Sequence, residues 1–249
     1  VCGDGVVMEM IGQVCCIMAG AADHAQIRMI CNACRSYLRD PQHGGFRLNT
    51  RYRDIGTAFG RVTAFSYGEK ENGATFSHMV VMLAYALCRH GFVAEGHEVL
   101  ESLYGLAVKS GVAGIYPGLP EYFTPEGRGM YPYLTGSASW LILTLVQGFC
   151  GIRGEGGGFS ITPALPAALF AGGPAISVRL RMAGYPLEVT YLNPGRVEQG
   201  EYRILACEVN GKLLDIPGGA MVYMDSGQLR EYLVAGELNR ICIRLGRQA

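Results

Sequence analysis

IYPGLPEYFTPEGRGMYPYLTGSASW, residues Ile115 to Trp140, is the stretch from which the chain can be read outward. Gly, Pro, Tyr, Glu and Arg crowd together ahead of a short polar turn, Thr135-Gly136-Ser137. An apolar run, Trp140 to Val146, follows at once. Punctuating residues of this kind predict an ordered loop, and the apolar run predicts a helix of roughly Ser137 to Phe149. A helix start leaves backbone N–H groups unpaired, and the helix dipole favours negative charge there. Phosphate suits such a place. Rings and polar groups just before it suit a sugar.

The segments before this stretch read as helices. Val6 to Met18 is apolar with few breakers. Asp23 is placed to cap a second helix that reaches about Tyr37, and Arg39-Asp40-Pro41 ends it. Gln42 to Tyr67, rich in Gly, Arg, Asn and Thr, predicts a long loop of the sort that often carries function. Phe76 to His90 is a third helix, with Ser77 as N-cap and Gly91 at its end. Ala94 to Val108 is a fourth, close enough to the third to form an antiparallel hairpin.

The character changes after Phe149. Gly151 to Gly158 is Gly-rich and reads as a linker between domains. Beyond it the apolar period is two: Ile176, Val178, Leu180 and Met182, then Leu187, Val189 and Tyr191, then Ile241, Ile243 and Leu245. Asn210-Gly211 is a strong hairpin turn. The expected division is a helical part, 1–153, and a small antiparallel β-domain, 154–249.

Composition narrows the function classes. The chain has 249 residues and a formal net charge of zero, so it lacks the basic footprint of a nucleic-acid binder. No apolar run is long and charge-free enough for a membrane span, and no signal peptide is read. The chain opens without Met inside an apolar periodic stretch, which is taken as a truncated start. Nine cysteines follow no scaffold pattern. Cys31-x-x-Cys34 is the only close metal-like spacing, but it falls within a helix and has no second pair. Buried reduced thiols are the expectation, without a metal, in a reducing cytoplasm.

Three groups of residues are candidates for chemistry. Gly68 to His78 enters the third helix: His78 sits in its first turn, where imidazole can donate to an anion, and Glu71 and Asn72 are placed for sugar hydroxyls. A capped helix start with solvated charges would look the same. Thr135-Gly136 opens the fifth helix, with Gly136 permitting close backbone approach and Thr135 adding a hydroxyl; an ordinary N-cap is the plainer alternative. Glu121, Tyr122, Arg128, Tyr131 and Tyr133 form the third group. Tyr faces can stack on a pyranose, and Arg128 can pair with Glu121 or hold an anion. Trp140 reads as helix core. There is no Walker loop and no Ser-His-Asp arrangement, and Gly154 to Gly158 is not followed by the βαβ unit that a dinucleotide loop needs.

GRVTAFSYGEKENGATFSHMVVM (Gly60 to Met82) and YPGLPEYFTPEGRGMYPYLTGSASW (Tyr116 to Trp140) resemble glycoside hydrolase family 94. That family holds inverting phosphorylases of β-linked glucosides and the phosphorylase-like region of cyclic β-1,2-glucan synthases. The wording of the motifs is closest to the cellodextrin, laminaribiose and β-1,2-oligoglucan members. The resemblance implies mainly α plus β architecture: the C-terminal part of an (α/α)6 barrel followed by a small antiparallel β-sandwich domain. It implies that His78, Thr135 and Gly136 hold phosphate and that Glu71 touches sugar, while Asn72, Arg128 and Tyr133 stand as further sugar contacts. The family's general-acid Asp and a phosphate-binding Arg fall upstream of Val1, and Asp4, Asp40 and Asp54 do not match that acid. The fragment alone is then expected to be inactive. Its partners would be a β-glucan oligosaccharide and phosphate as co-substrate, with no other cofactor; homodimers are usual in the family. A cyclic β-1,2-glucan synthase terminus and a non-catalytic sugar-binding module are the alternatives.

Overall fold

Apolar spacing and capping build the helices. The computed structural model describes residues 5–52, 57–115, 117–133 and 135–247. Helix α1 spans Met10–Met18 and buries Met10, Val14 and Ile17, at helical spacing. It starts later than the apolar run suggests: Val6 and Val7 precede it and are exposed, and Glu9 instead bridges Asn49. Helix α2, His24–Ala33, is opened by a capping box in which Asp23 accepts from Gln26 N and the Gln26 side chain returns the bond. It widens into a π turn, Cys34–Leu38. Ile27, Cys31, Cys34 and Leu38 form one buried stripe. Burial pushes the thiols of Cys31 and Cys34 up to about 11 and about 12, so both stay protonated at neutral pH.

Strand β1, Thr75–Phe76, leads straight into α3, Ser77–Arg89. Helix α3 is buried nearly all round and packs against α1, α4 (Val93–Tyr104) and α5 (Gly136–Leu143). Between α4 and α5, the loop folds into two short strands, β2 (Tyr122–Phe123) and β3 (Gly129–Met130), which pair antiparallel with β1 in the order β1-β2-β3. The sequence reading of this segment as a plain loop missed these strands. They decide the site, because they strap the Ile115 motif to the start of α3. Ser77 N donates to Glu121 O at 2.8 Å in the same strap. Ser77 is itself the first helical residue; Phe76 occupies the cap position, so Ser77 is not the N-cap expected above.

The chain divides into two units, Val1–Thr144 and Leu145–Ala249. In the second, β4 (Ile152–Glu155) and β5 (Gly158–Ile161) pair antiparallel. Gly154 to Gly158, read as linker, is therefore the end of β4, a two-residue turn and the start of β5. Strands β6 (Ala175–Met182), β7 (Tyr185–Leu192), β8 (Arg203–Val209) and β9 (Lys212–Leu214) follow. Asn210 and Gly211, at φ 51° and 80°, make the β8–β9 turn, since a two-residue loop needs positive φ at both positions. Strand β10 (Val222–Met224) joins β5 and β4, helix α6 (Ser226–Tyr232) is capped by Asp225, and β11 (Asn239–Gly246) closes the larger sheet. That sheet runs β6-β7-β11-β8-β9. Its β11–β7 pair is parallel, so it is mixed rather than purely antiparallel. Period-two patterning reports which residues face the core and is blind to strand direction. The chain is thus a mixed α plus β protein.

Candidate functional site

Two helix starts meet in the first unit. A Cβ built on Gly136 would lie 2.4 Å from Cε1, 2.6 Å from Nδ1 and 2.9 Å from Nε2 of His78. Only glycine leaves room for the Nδ1–Cε1–Nε2 edge of the ring to lie against the first residue of α5. Thr135 caps α5, its Oγ1 accepting Ser137 N–H at 3.2 Å. The hydroxyl proton of Thr135 is left to donate elsewhere. The Thr144 hydroxyl lies 3.1 Å from Val81 O and 2.7 Å from Trp140 O, which ties α5 to α3. Trp140 packs on the core with its ring 6.3 Å from His78 and edge-on to Tyr85 at 5.4 Å, in keeping with its reading as helix core.

Several polar atoms here are enclosed without a hydrogen-bond partner: Ser77 Oγ, His78 Nε2, Ser137 Oγ and Glu71 Oε2. Ser77 and Ser137 are both fully buried. Neither serine was marked as a functional residue by the sequence reading. The available signal was a hydroxyl beside each marked residue, at the start of an otherwise apolar helix. Burial holds the His78 pKa below the ordinary histidine value, and the charge of Glu121 works against that. The imidazole is therefore neutral at neutral pH and has one N–H to give.

The other candidates divide. Glu71 Oε1 pairs with Arg61 Nη2 at 3.0 Å, while its Oε2 is the enclosed atom named above. Asn72 is 3% exposed; its Nδ2 donates to Phe65 O at 2.8 Å and its Oδ1 accepts from Asn49. That carboxamide holds the loop together, which argues against the direct sugar contact given to it. Arg128 is exposed, and among the described residues no ion pair joins it to Glu121. Tyr133 is 61% exposed and stands edge-on to Tyr131, with 5.5 Å between ring centroids. Tyr131 in turn lies 5.9 Å from Tyr122, and Lys70 Nζ sits 4.9 Å above the Tyr131 ring. Asp40 is buried against Arg47 at 3.0 Å. Burial would raise its pKa, but donors from Gln42, His43 and Arg47 outweigh that and hold it below the usual carboxylate range. Asp4 and Asp54 lie outside the described residues. Among the described residues no three His, Cys, Asp or Glu gather as for a metal, and no helix is long and apolar enough to cross a membrane.

The first unit thus sets an imidazole against a helix start, beside a strapped loop of aromatic rings. Residues 4–104 match the Glycosyl hydrolase 94 superfamily, catalytic domain. It is 28% identical over 166 residues to a cellobionic acid phosphorylase of Neurospora crassa, covering 61% of this chain and 21% of that protein. Against an N,N'-diacetylchitobiose phosphorylase of Vibrio furnissii it is 27% identical over 208 residues, covering 80% and 25%. Against the cyclic beta-(1,2)-glucan synthase NdvB of Rhizobium meliloti it is 26% identical over 188 residues, covering 71% and 6%. The chain spans about a quarter or less of the length of these curated relatives.

Proposed function

We propose that the chain is the C-terminal part of a cytoplasmic inverting phosphorylase. Such an enzyme cleaves β-linked glucose oligosaccharides with inorganic phosphate and releases α-glucose 1-phosphate. On this reading the helices belong to the last part of an (α/α)6 barrel and the sheets to a small C-terminal β-sandwich domain, in a protein that acts as a homodimer. The observation that carries the reading is the approach of the His78 ring to Gly136, which brings an imidazole N–H and the amides of α5 to one place.

Phosphate held there is already an anion, so it replaces the base-activated water of an inverting hydrolase. One of its oxygens bonds to the anomeric carbon while the glycosidic C–O bond breaks. The leaving oxygen takes a proton from a carboxylic acid, which the resemblance puts upstream of Val1. Phosphate is the co-substrate and no further cofactor enters the scheme. Thr135 donates its hydroxyl, His78 its N–H, and Glu71 Oε2 accepts from a sugar hydroxyl. The exposed face of Tyr133 offers a pyranose stacking surface, and Arg128 an exposed cation for the same ligand.

The test is phosphate-dependent release of α-glucose 1-phosphate by the complete protein from β-1,4-, β-1,3- and β-1,2-linked oligoglucans, beside calorimetry of this chain with phosphate. Heat from sugar but none from phosphate would turn the reading into a non-catalytic sugar-binding module. Similarity to the glucan synthase favours a second reading, in which the same reaction trims chain length within a cyclic β-1,2-glucan synthase. Activity confined to β-1,2-linked chains would select it.

A further inference from the structure

Among the described residues of Val1–Thr144, Lys70 and Tyr131 are the two that hold a positive φ without being glycine, at 45° and 57°. Left-handed backbone costs energy for a residue with a Cβ and persists only where its surroundings over-determine it. These two residues, far apart in sequence, meet each other: Lys70 Nζ lies 4.9 Å from the centroid of the Tyr131 ring. It also stands 5.4 Å from the centroid of the Phe65 ring. Among the described residues no ion pair joins Lys70 to a carboxylate, so rings rather than an acid receive its ammonium. The Tyr131 phenol holds the Lys70 pKa above the ordinary lysine value, and the ammonium stays charged at neutral pH.

The backbone on each side is fixed independently. Lys70 and Glu71 are the central residues of a tight turn in which Asn72 N donates to Glu69 O at 2.9 Å and Gly68 N to Asn72 O at 2.6 Å. Tyr122 anchors one end of the turn, its hydroxyl donating to Glu69 Oε2 at 3.0 Å. Asn72 anchors the other through Phe65 O and Asn49. Tyr131 follows β3 directly, and its carbonyl accepts from Glu121 N at 3.3 Å. Glycine would fill the positive-φ place of this turn without strain. What lysine adds there is a side chain, and that side chain goes to Tyr131.

We propose that Tyr131 is a positioning residue for the Lys70–Glu71 turn: from the strap it holds the Lys70 ammonium against its ring and so fixes how the turn faces a sugar. This rests on the sugar reading of Glu71 given above. Tyr131 then acts through Lys70, and the stacking platform is left to the exposed ring of Tyr133. The Ile115 motif shapes the Gly68 motif by side-chain contact at two places, Tyr122 on Glu69 and Tyr131 on Lys70.

The experiment joins NMR of the chain labelled with 13C at the lysine ε carbons to calorimetry of the complete protein with cello-, laminari- and β-1,2-linked oligoglucans. In the wild type the Lys70 ε protons, assigned by their loss in Lys70→Met, should be shifted upfield by the ring beneath them. Tyr131→Ala should give back part of that shift, and Tyr131→Phe should keep it. Tyr131→Ala should weaken oligoglucan affinity about two- to fivefold, the size of one exposed cation–π contact. Phosphate affinity should stay unchanged, and Tyr131→Phe should bind sugar as the wild type does. In a Lys70→Met background, Tyr131→Ala should cost no further affinity, because no ammonium is left to hold. A wild-type Lys70 signal without an upfield shift overturns the proposal, and that measurement needs no variant to fold. Additive losses in the double variant overturn it too, since Tyr131 would then meet the sugar itself. A wild type that binds no oligoglucan sinks the sugar reading and the role of Tyr131 with it; one that binds but shows no coupling sinks the proposal alone.

Discussion

The two units deal with buried polar atoms in opposite ways. In Leu145–Ala249, Asn239 is 1% exposed, and its side chain bonds to Pro186 O, Val234 O, Glu237 O, Asn210 Nδ2 and Val234 N. Tyr191 and Tyr202, also buried, send their hydroxyls to Cys150 O and Pro163 O. In Val1–Thr144, by contrast, Glu71, Ser77, His78 and Ser137 each keep an enclosed atom without a partner. An orphan of that kind costs about 1–3 kcal/mol. Several of them gathered at one turn and two helix starts cost stability that the fold alone does not need. The lesson is that the β unit spends its polar groups on architecture, while the helical unit leaves some of them without partners, which on the proposed reading a ligand would meet.

The sharpest way to break this contrast is Gly136→Val. The added carbons would occupy the space of the His78 ring and drive it from α5. Phosphate-dependent turnover of the complete protein should fall by more than a hundredfold, and a variant with wild-type turnover would remove the basis for a joint site. His78→Ala removes one charge-assisted contact, about 1.5–3 kcal/mol, which is roughly one to two decades in rate. That loss should appear in a phosphate titration, with the melting curve nearly unchanged.

Asn239→Ala probes the other side of the comparison. It strands buried partners in the β unit and should cost about 1–3 kcal/mol in chemical denaturation, while the His78 NMR signals stay where they are. Tyr133→Ala should weaken oligoglucan affinity by about 0.5–1.5 kcal/mol, the scale of one ring-stacking contact, without a change in stability. The smallest effect expected is that of pH. Because burial lowers the His78 pKa in the folded state, the unfolded chain binds this proton first, and the folded state loses stability as pH falls below the ordinary histidine value. His78→Gln lacks that titration, so the stability of wild type relative to the variant should fall as pH drops from above neutral towards 5. A constant gap across that range would count against a desolvated imidazole.

Legibility followed the physics of each element. Helices α2, α3 and α4 could be read because an Asp cap, an apolar stripe and a terminal glycine each leave a local trace. The Asn210-Gly211 turn was legible for the same reason. Strands β1, β2 and β3 were not, since two-residue strands are shorter than any periodicity. The Gly151–Gly158 hairpin was mistaken for a linker because glycine marks tight turns and loose chain alike. In the site, His78, Thr135 and Gly136 stood out by type and position, whereas Asn72 looked available until its two internal bonds were seen.

By itself the sequence determined where helices begin, which faces are apolar, and which residue types have the chemistry to hold an anion and a sugar, because these depend on neighbours a few positions away. Only the tertiary structure decided that residues 78 and 136 touch, that two serines beside them are shut in without partners, and that strand β11 runs parallel to β7. Those outcomes depend on packing between segments distant along the chain, where close approach and the exclusion of water are set by three-dimensional contact and leave no periodic mark.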